Sequence, residues 1–336
     1  MSRRTATSAL LLLLFLISSF SFSSCGFTEK PDTEQRGRAK VGVIETTGYK
    51  KKSYIHFFDE DLQFLYKKEF RLASLSEYWD TPQCREGAVY AIPKGLFGKR
   101  EETCILKYNV KEDRHEKLDL GLWNMNSFAF SKTHVFGVNT VNFASTIARR
   151  SLGNKKEEVF SKSFPGLYIY DLEVLDGNLY ALFTEDEKSY FGKVSMETLE
   201  FLEKYDVTPY GAPHSMIFAG DKIYLTNQYA NFDGKPSTVL TVFYPETKTV
   251  YTVDLKTKYP DHLVAVEDLL FVSHNRCVSC KGNQVTVLNL SDETFQTLSV
   301  PHLTMQIAWA DSFLYILSEL EVYKYEYKDD RLTRVA

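Results

Sequence analysis

The chain is short of cysteine, of basic excess and of long apolar runs, and each shortage narrows what it can be. Five cysteines in 336 residues are too few for a disulfide-dense miniprotein. After the first two dozen residues no apolar run approaches the roughly 18 residues of a spanning helix. Forty Lys and Arg stand against 44 Asp and Glu, a formal charge of −4, so no bulk nucleic-acid binding is expected. Phosphate loops and dinucleotide fingerprints are missing. There is no Gly-x-Ser-x-Gly, and Gly211-Ala-Pro-His-Ser215 lacks a strand-to-helix context. What the chain has in quantity is aromatic: 21 Tyr and 24 Phe bring that share to 14%, which leans towards strands. With 44% hydrophobic and 25% charged residues, the bulk of the chain is a folded protein, of one large domain or two ordinary ones.

The N-terminus carries an address. Arg3 and Arg4 precede an apolar stretch from Ala9 to Phe22, which suits a signal peptide and is short for a membrane span. Small residues then lead to a cysteine, Phe22-Ser23-Ser24-Cys25-Gly26. This resembles the lipobox of bacterial lipoproteins, although Phe22 stands where Leu is usual. The resemblance implies residues 1–24 as a signal peptide, cleavage before Cys25, and acyl chains on Cys25 that hold the protein to a membrane. More than one chain would anchor it stably. The processed chain has 38 basic and 44 acidic side chains, or −6. Residues 25–38 read as a lipidated N-terminus and linker, and Thr28 to Lys40 as a flexible tether. The expected location is the bacterial cell envelope, outside the cytoplasm.

A repeat sets the fold. Seven short strand-like segments centre on Val43, Tyr90, Phe136, Tyr180, Tyr224, Phe271 and Tyr315, at steps of 47, 46, 44, 44, 47 and 44. Between them recur turn-rich segments such as Phe57-Phe-Asp-Glu-Asp-Leu62 and Leu290-Ser-Asp-Glu-Thr-Phe295, which signal hairpins. Four antiparallel strands in 40–45 residues make a β-propeller blade. Residues 39–336 therefore read as an all-β, seven-bladed β-propeller, with six or eight blades as the alternatives. Asp221-Lys-Ile-Tyr-Leu-Thr-Asn227, preceded by Pro213-His214, resembles the repeat of seven-bladed YVTN propellers. That group includes binding proteins and lactonase-like hydrolases, so the resemblance implies a fold more than an activity.

Counting back from the aromatic centres predicts what the innermost strands present. Eight and six residues back, the positions are apolar. Nine back they are polar: Thr81, Ser127, Asp171, Ser215, His262 and Gln306. Alternation is expected to send one face into the inter-blade core and the other into the central channel. The polar ring then marks the channel mouth at the top face, with Glu173 a step deeper and Asn227 at the rim. The same residues also suit a merely wet channel. Replacing Asp171 or His262 is expected to disturb function more than stability.

Other candidates are thinner. His214, His262 and His302 sit near blade starts, and Asp171 or Glu173 could add oxygen. Their spacing is out of register for zinc, and calcium on Asp171, Glu173 and Asn227 is no better supported. No metal and no cofactor is expected. With Cys25 acylated, Cys84 with Cys104 and Cys277 with Cys280 are the simplest of three disulfide connectivities. Lys50, Lys51, Lys52, Lys94, Lys99, Arg100, Arg276 and Lys281 would make a positive top rim if their loops meet there, or only a solvated set of lysines. The leading expectation is a membrane-anchored module that binds a protein, cell-wall polymer or small molecule through its top face. The alternative is a lactonase-like extracytoplasmic hydrolase using the mouth carboxylates and His.

Overall fold

The computed structural model describes residues 12–17, 31–76, 82–96, 99, 101–154, 158–230, 234–275, 282–319 and 321–336. They form seven four-stranded sheets, the blades of a β-propeller. Blade 1 holds β1 (Leu12–Ile17), β2 (Val41–Thr46), β3 (Ser53–Phe58) and β4 (Phe64–Phe70). Blade 2 holds β5 (Gln83–Arg85), β6 (Ala88–Ala91), β7 (Cys104–Asn109) and β8 (Arg114–Asp119). Blade 3 holds β9 (Met125–Phe130), β10 (His134–Val141), β11 (Ala144–Ser151) and β12 (Phe160–Pro165). Blade 4 holds β13 (Leu167–Leu175), β14 (Asn178–Glu185), β15 (Lys188–Val194) and β16 (Phe201–Asp206). Blade 5 holds β17 (Ala212–Ala219), β18 (Lys222–Tyr229), β19 (Val239–Tyr244) and β20 (Thr249–Asp254). Blade 6 holds β21 (Pro260–Val266), β22 (Leu269–His274), β23 (Gln284–Asn289) and β24 (Phe295–Ser299). Blade 7 holds β25 (Gln306–Ala310), β26 (Phe313–Leu317), β27 (Val322–Lys328) and β28 (Arg331–Arg334).

In blades 2 to 7 the residue opposite each aromatic centre is the one seven positions earlier. The pairs are Gln83 with Tyr90, Ala129 with Phe136, Glu173 with Tyr180, Ile217 with Tyr224, Val264 with Phe271 and Ala308 with Tyr315. The inner hairpins thus share one register, as the spacing predicts. Turn chemistry explains several of them. Asp176 and Gly177 both have positive φ, as a two-residue hairpin turn of the right twist demands.

Seven apolar clusters lie one at each blade interface and close the ring. Val41 and Val43 of blade 1, for example, pack with Ala310, Tyr315 and Leu317 of blade 7. The clusters correct the expected facing of the inner strands. Met216 packs with the preceding blade's Tyr180 and Leu182, while its neighbour Ile217 packs with the following blade's Leu270 and Val272. A propeller sheet stands on edge to the channel, so alternation sorts residues between the two flanking blades, and only the strand's inner edge meets the channel. Blade 1 needs a second correction: Ile44, packed against blade 2, occupies the position of the aromatic centres, whereas Val43 faces blade 7.

Thr33–Arg38 form a short helix, α1, with a capping box between Asp32 and Gln35. Arg36 Nε donates to Lys111 O at 3.1 Å, and Arg38 pairs with Asp59 at 2.8 Å. Both acceptors lie in turns between third and fourth strands, at the face opposite the starts of the inner strands, so α1 is docked on the bottom of blades 1 and 2. Leu12–Ile17 takes the innermost place of blade 1, parallel to β2.

Candidate functional site

The starts of β13, β17 and β21 bring a polar chain together at the top mouth of the channel. Asp261, only 2% exposed, is its hub. One carboxylate oxygen meets His214 Nε2 at 3.0 Å and accepts from Gln228 Nε2 at 2.7 Å. The other lies 3.3 Å from His262 Nδ1. His214 and Gln228 come from blade 5, Asp261 and His262 from blade 6, so closing the ring assembles the group. Both imidazoles remain partly accessible to the mouth while their carboxylate is sealed behind them. Burial lowers the His262 pKa, opposed by Asp261 and reinforced by His214.

Asp171 extends the chain into blade 3. Ser127 Oγ donates to its carboxylate at 2.9 Å and accepts from Leu172 N–H at 3.2 Å, and the nearby backbone N–H groups of Leu172 and Met216 favour its ionised form. Burial nevertheless dominates and raises its pKa to about 6, against these hydrogen bonds and the nearby His214. Glu173 is pushed well above the ordinary carboxyl range, first by burial and then by Asp171, with Arg85 acting against both. The mouth thus combines a His–Asp–His group, hydrogen-bonded between His214 and Asp261 with His262 alongside, with two carboxyls that hold protons more tightly than usual. It can donate and accept hydrogen bonds to a neutral polar ligand, and His214 can accept a proton from water at Nδ1 when its Nε2–H points to Asp261.

Not every expected member joins. Ser215 lies opposite Thr226 in the β17–β18 pair. Gln306 is buried at the start of β25. Asn227 is not a rim residue: it is fully buried, its Nδ2 donates to Val239 O and Thr241 Oγ1, and it packs so closely on Gly211 that a Cβ there would lie 2.6 Å from Asn227 Oδ1. Thr81 falls outside the described residues, as do Cys25, Cys277 and Cys280. Asp171 is also more structural than expected, since its carboxylate ties β13 to Ser127 of the neighbouring inner strand β9. Sequence reasoning missed Asp261 and Gln228. The signal available was the triplet Pro260-Asp261-His262, parallel to Pro213-His214-Ser215 one blade earlier.

The Cys84–Cys104 pairing is overturned, for both thiols are free. Cys84 sits beside the β5–β6 turn, and Cys104 starts β7 at the far end of the same blade with β6 in between. Burial pushes both thiols up to about 12. His302 is remote from the mouth: it stacks on Tyr323 and bonds Tyr325 Oη at 2.7 Å. Among the described residues no three His, Cys, Asp or Glu are grouped to hold a metal. The basic loops are partly neutralised, with Lys51 and Lys99 on Glu101 and Lys52 on Glu69; Lys94 Nζ donates to Met125 O. Arg100, Arg276 and Lys281 lie outside the described residues. On the bottom face, a cavity of about 160 Å³ between blades 4 and 5 is lined by Tyr180, Tyr205, Phe243, Lys193 and Lys248.

No family model matches the sequence, and no curated protein matches it. Among solved structures, a candidate 6-phosphogluconolactonase from Bacteroides fragilis NCTC 9343 is similar, with a TM-score of 0.62 at 12% identity over 87% of this chain and 93% of that one. The dihydro-heme d1 dehydrogenase NirN matches with a TM-score of 0.60 at 8% identity, over 92% of this chain and 65% of that one. The β-propeller domain of the Trilobed protease from Pyrococcus furiosus, described as an open velcro topology, matches with a TM-score of 0.51 at 14% identity over 76% and 82%. At such identities the likeness establishes the propeller fold and transfers no chemistry.

Proposed function

We propose that this chain is a lipid-anchored, extracytoplasmic propeller that binds a small, neutral, polar ligand at the top mouth of its channel. The observation that carries this reading is the sealed Asp261 carboxylate holding His214, His262 and Gln228 from two blades. A buried carboxylate costs stability unless its partners repay it, and here two of those partners, His214 and His262, stay partly accessible. With Asp171 and Glu173 holding their protons more tightly than usual, the mouth offers uncharged hydrogen-bonding groups beside the Asp261 carboxylate that is already paired, which suits a neutral polar ligand. The lipobox-like Phe22 to Gly26 segment supports anchoring through Cys25. Because α1 docks on the bottom face, an anchor just before it would turn the bottom to the membrane and leave the top open. The YVTN-like segment at Asp221 to Asn227 fits the same group of propellers.

A second reading has a specific observation in its favour. The His214–Asp261 pair has the arrangement of an oriented general base, and Glu173 holds a proton it could give to a departing oxygen. Water activated by His214 would open an uncharged lactone; the phosphate implied by the name of the Bacteroides fragilis protein is a poorer fit here. Calorimetric titration with D-glucono-δ-lactone and with glucose, beside a lactone-hydrolysis assay, separates the readings. Binding without turnover supports the module, and turnover lost in His214→Gln supports the hydrolase. If neither sugar binds wild type better than Asp261→Asn, the mouth is not a site for such ligands.

A further inference from the structure

Blade 1 differs from the other six in how it obtains its innermost strand. In blades 2 to 7 that strand directly precedes its partner in the chain and runs antiparallel to it. The chain reaches β2 from α1, with no hairpin before it. The place is taken instead by Leu12–Ile17, which runs parallel to β2 in the register Leu12 to Val41 through Ile17 to Thr46. It lies beside β25 of blade 7 and β5 of blade 2. These six residues are Leu-Leu-Leu-Phe-Leu-Ile, the centre of the segment read as a signal peptide. Cleavage before Cys25 would remove them and leave the β2 edge facing the channel, its backbone groups unpaired along one side.

From this we infer that the processed protein carries a strand-acceptor groove at the inner edge of β2, and that it takes an extended apolar peptide segment of a partner protein as an added parallel strand. The inference rests on the cleavage reading above. The chemistry of the occupant follows from the segment the groove accommodates in the unprocessed chain: extended, uncharged and apolar at every position. Main-chain pairing would supply affinity, and the flanking blades would admit only a strand narrow enough to lie between β25 and β5. Residues 25–30, Cys-Gly-Phe-Thr-Glu-Lys, match this chemistry poorly because they include two charges.

The full chain, produced with its leader in a bacterium, separates the possibilities. Intact mass shows whether residues 1–24 are gone. The probe is a labelled peptide of sequence Leu-Leu-Leu-Phe-Leu-Ile flanked by lysines, read by fluorescence anisotropy. A version methylated at alternate backbone nitrogens keeps its apolar surface and loses the strand hydrogen bonds. Processed protein should bind the probe saturably, and the methylated peptide at least about tenfold more weakly. Cys25→Ala, which blocks lipobox processing and keeps the leader in the groove, should not bind. Equal binding of both peptides, equal binding by Cys25→Ala, or no binding by processed wild type overturns the groove. Wild type that retains its leader overturns the cleavage reading, and the groove with it, and the mass distinguishes that outcome from the others.

Discussion

Replacing Asp171 by Asn tests the electrostatics of the mouth in a single group. In wild type, burial raises the Asp171 carboxyl from 3.8 to about 6, so the folded state holds a proton that the unfolded chain releases. Stability from this group is therefore present below about pH 4 and lost as pH rises through about 6, because the native state then binds more protons than the unfolded state. The interval corresponds to about 3 kcal/mol, an upper bound for a group that retains some contact with the channel. Asn copies the neutral carboxyl in shape and has no proton to lose. The variant should match wild type at pH 4 and exceed it increasingly up to pH 7, by as much as about 3 kcal/mol. Urea unfolding followed by the fluorescence of Trp123 and Trp309 gives the difference at each pH. Taking the difference between the two proteins cancels the slopes of the other carboxylates. If Asp171→Asn is less stable than wild type at pH 7 with no change of difference across the range, the Ser127 hydrogen bond and its polar surroundings hold an ionised carboxylate and the reasoning fails.

Other expectations follow from single contacts. His274 is buried between Lys258 O and Thr286 Oγ1 at 3.0 and 2.7 Å, and burial lowers its pKa to about 4. Wild type should lose about 3 kcal/mol as pH falls from 6.5 to 4, a slope that urea melts of His274→Gln should lack. Gly282 leaves no room for a side chain, since a Cβ would lie 1.5 Å from His274 O. Gly282→Ala should cost at least about 3 kcal/mol, and a thermal midpoint within two or three degrees of wild type, about the size of a much smaller loss, would contradict the packing. Cys84 and Cys104 should both react with a thiol reagent in urea and resist it at pH 8 in the native protein. A Cys84–Cys104 peptide in a non-reducing map would refute the free thiols.

The fold was largely legible because the repeat records its own geometry. Six aromatic centres at near-constant spacing each pack against the next blade, as Tyr224 does with blade 6, and a ring needs one such residue per blade. Blade 1 breaks the pattern, since Ile44 does the work where Val43 was the apparent centre, and a β-branched aliphatic leaves a weaker mark than Tyr or Phe. The site was half legible. Period-two counting found Ser127, Asp171 and His262 because they share a register position. It could not find Asp261, which meets His214 and Gln228 only across a blade interface, nor foresee that Asn227 turns inward against Gly211. Facing was misread because alternation along a strand distinguishes its two sides but does not say what lies beyond each. Leu12–Ile17 reads only as a leader in the sequence, since apolar residues alone do not reveal a strand partner.

The central claim, that the His214–Asp261–His262 mouth is the ligand site, is tested most directly by a crystal structure of the processed protein soaked with D-glucono-δ-lactone. The account predicts the sugar or its hydrolysis product at the top of the channel, within hydrogen-bond reach of both imidazoles, and its absence from crystals of Asp261→Asn. Sugar bound instead in the bottom cavity beside Tyr180 and Lys248, with only water between His214 and His262, would contradict it.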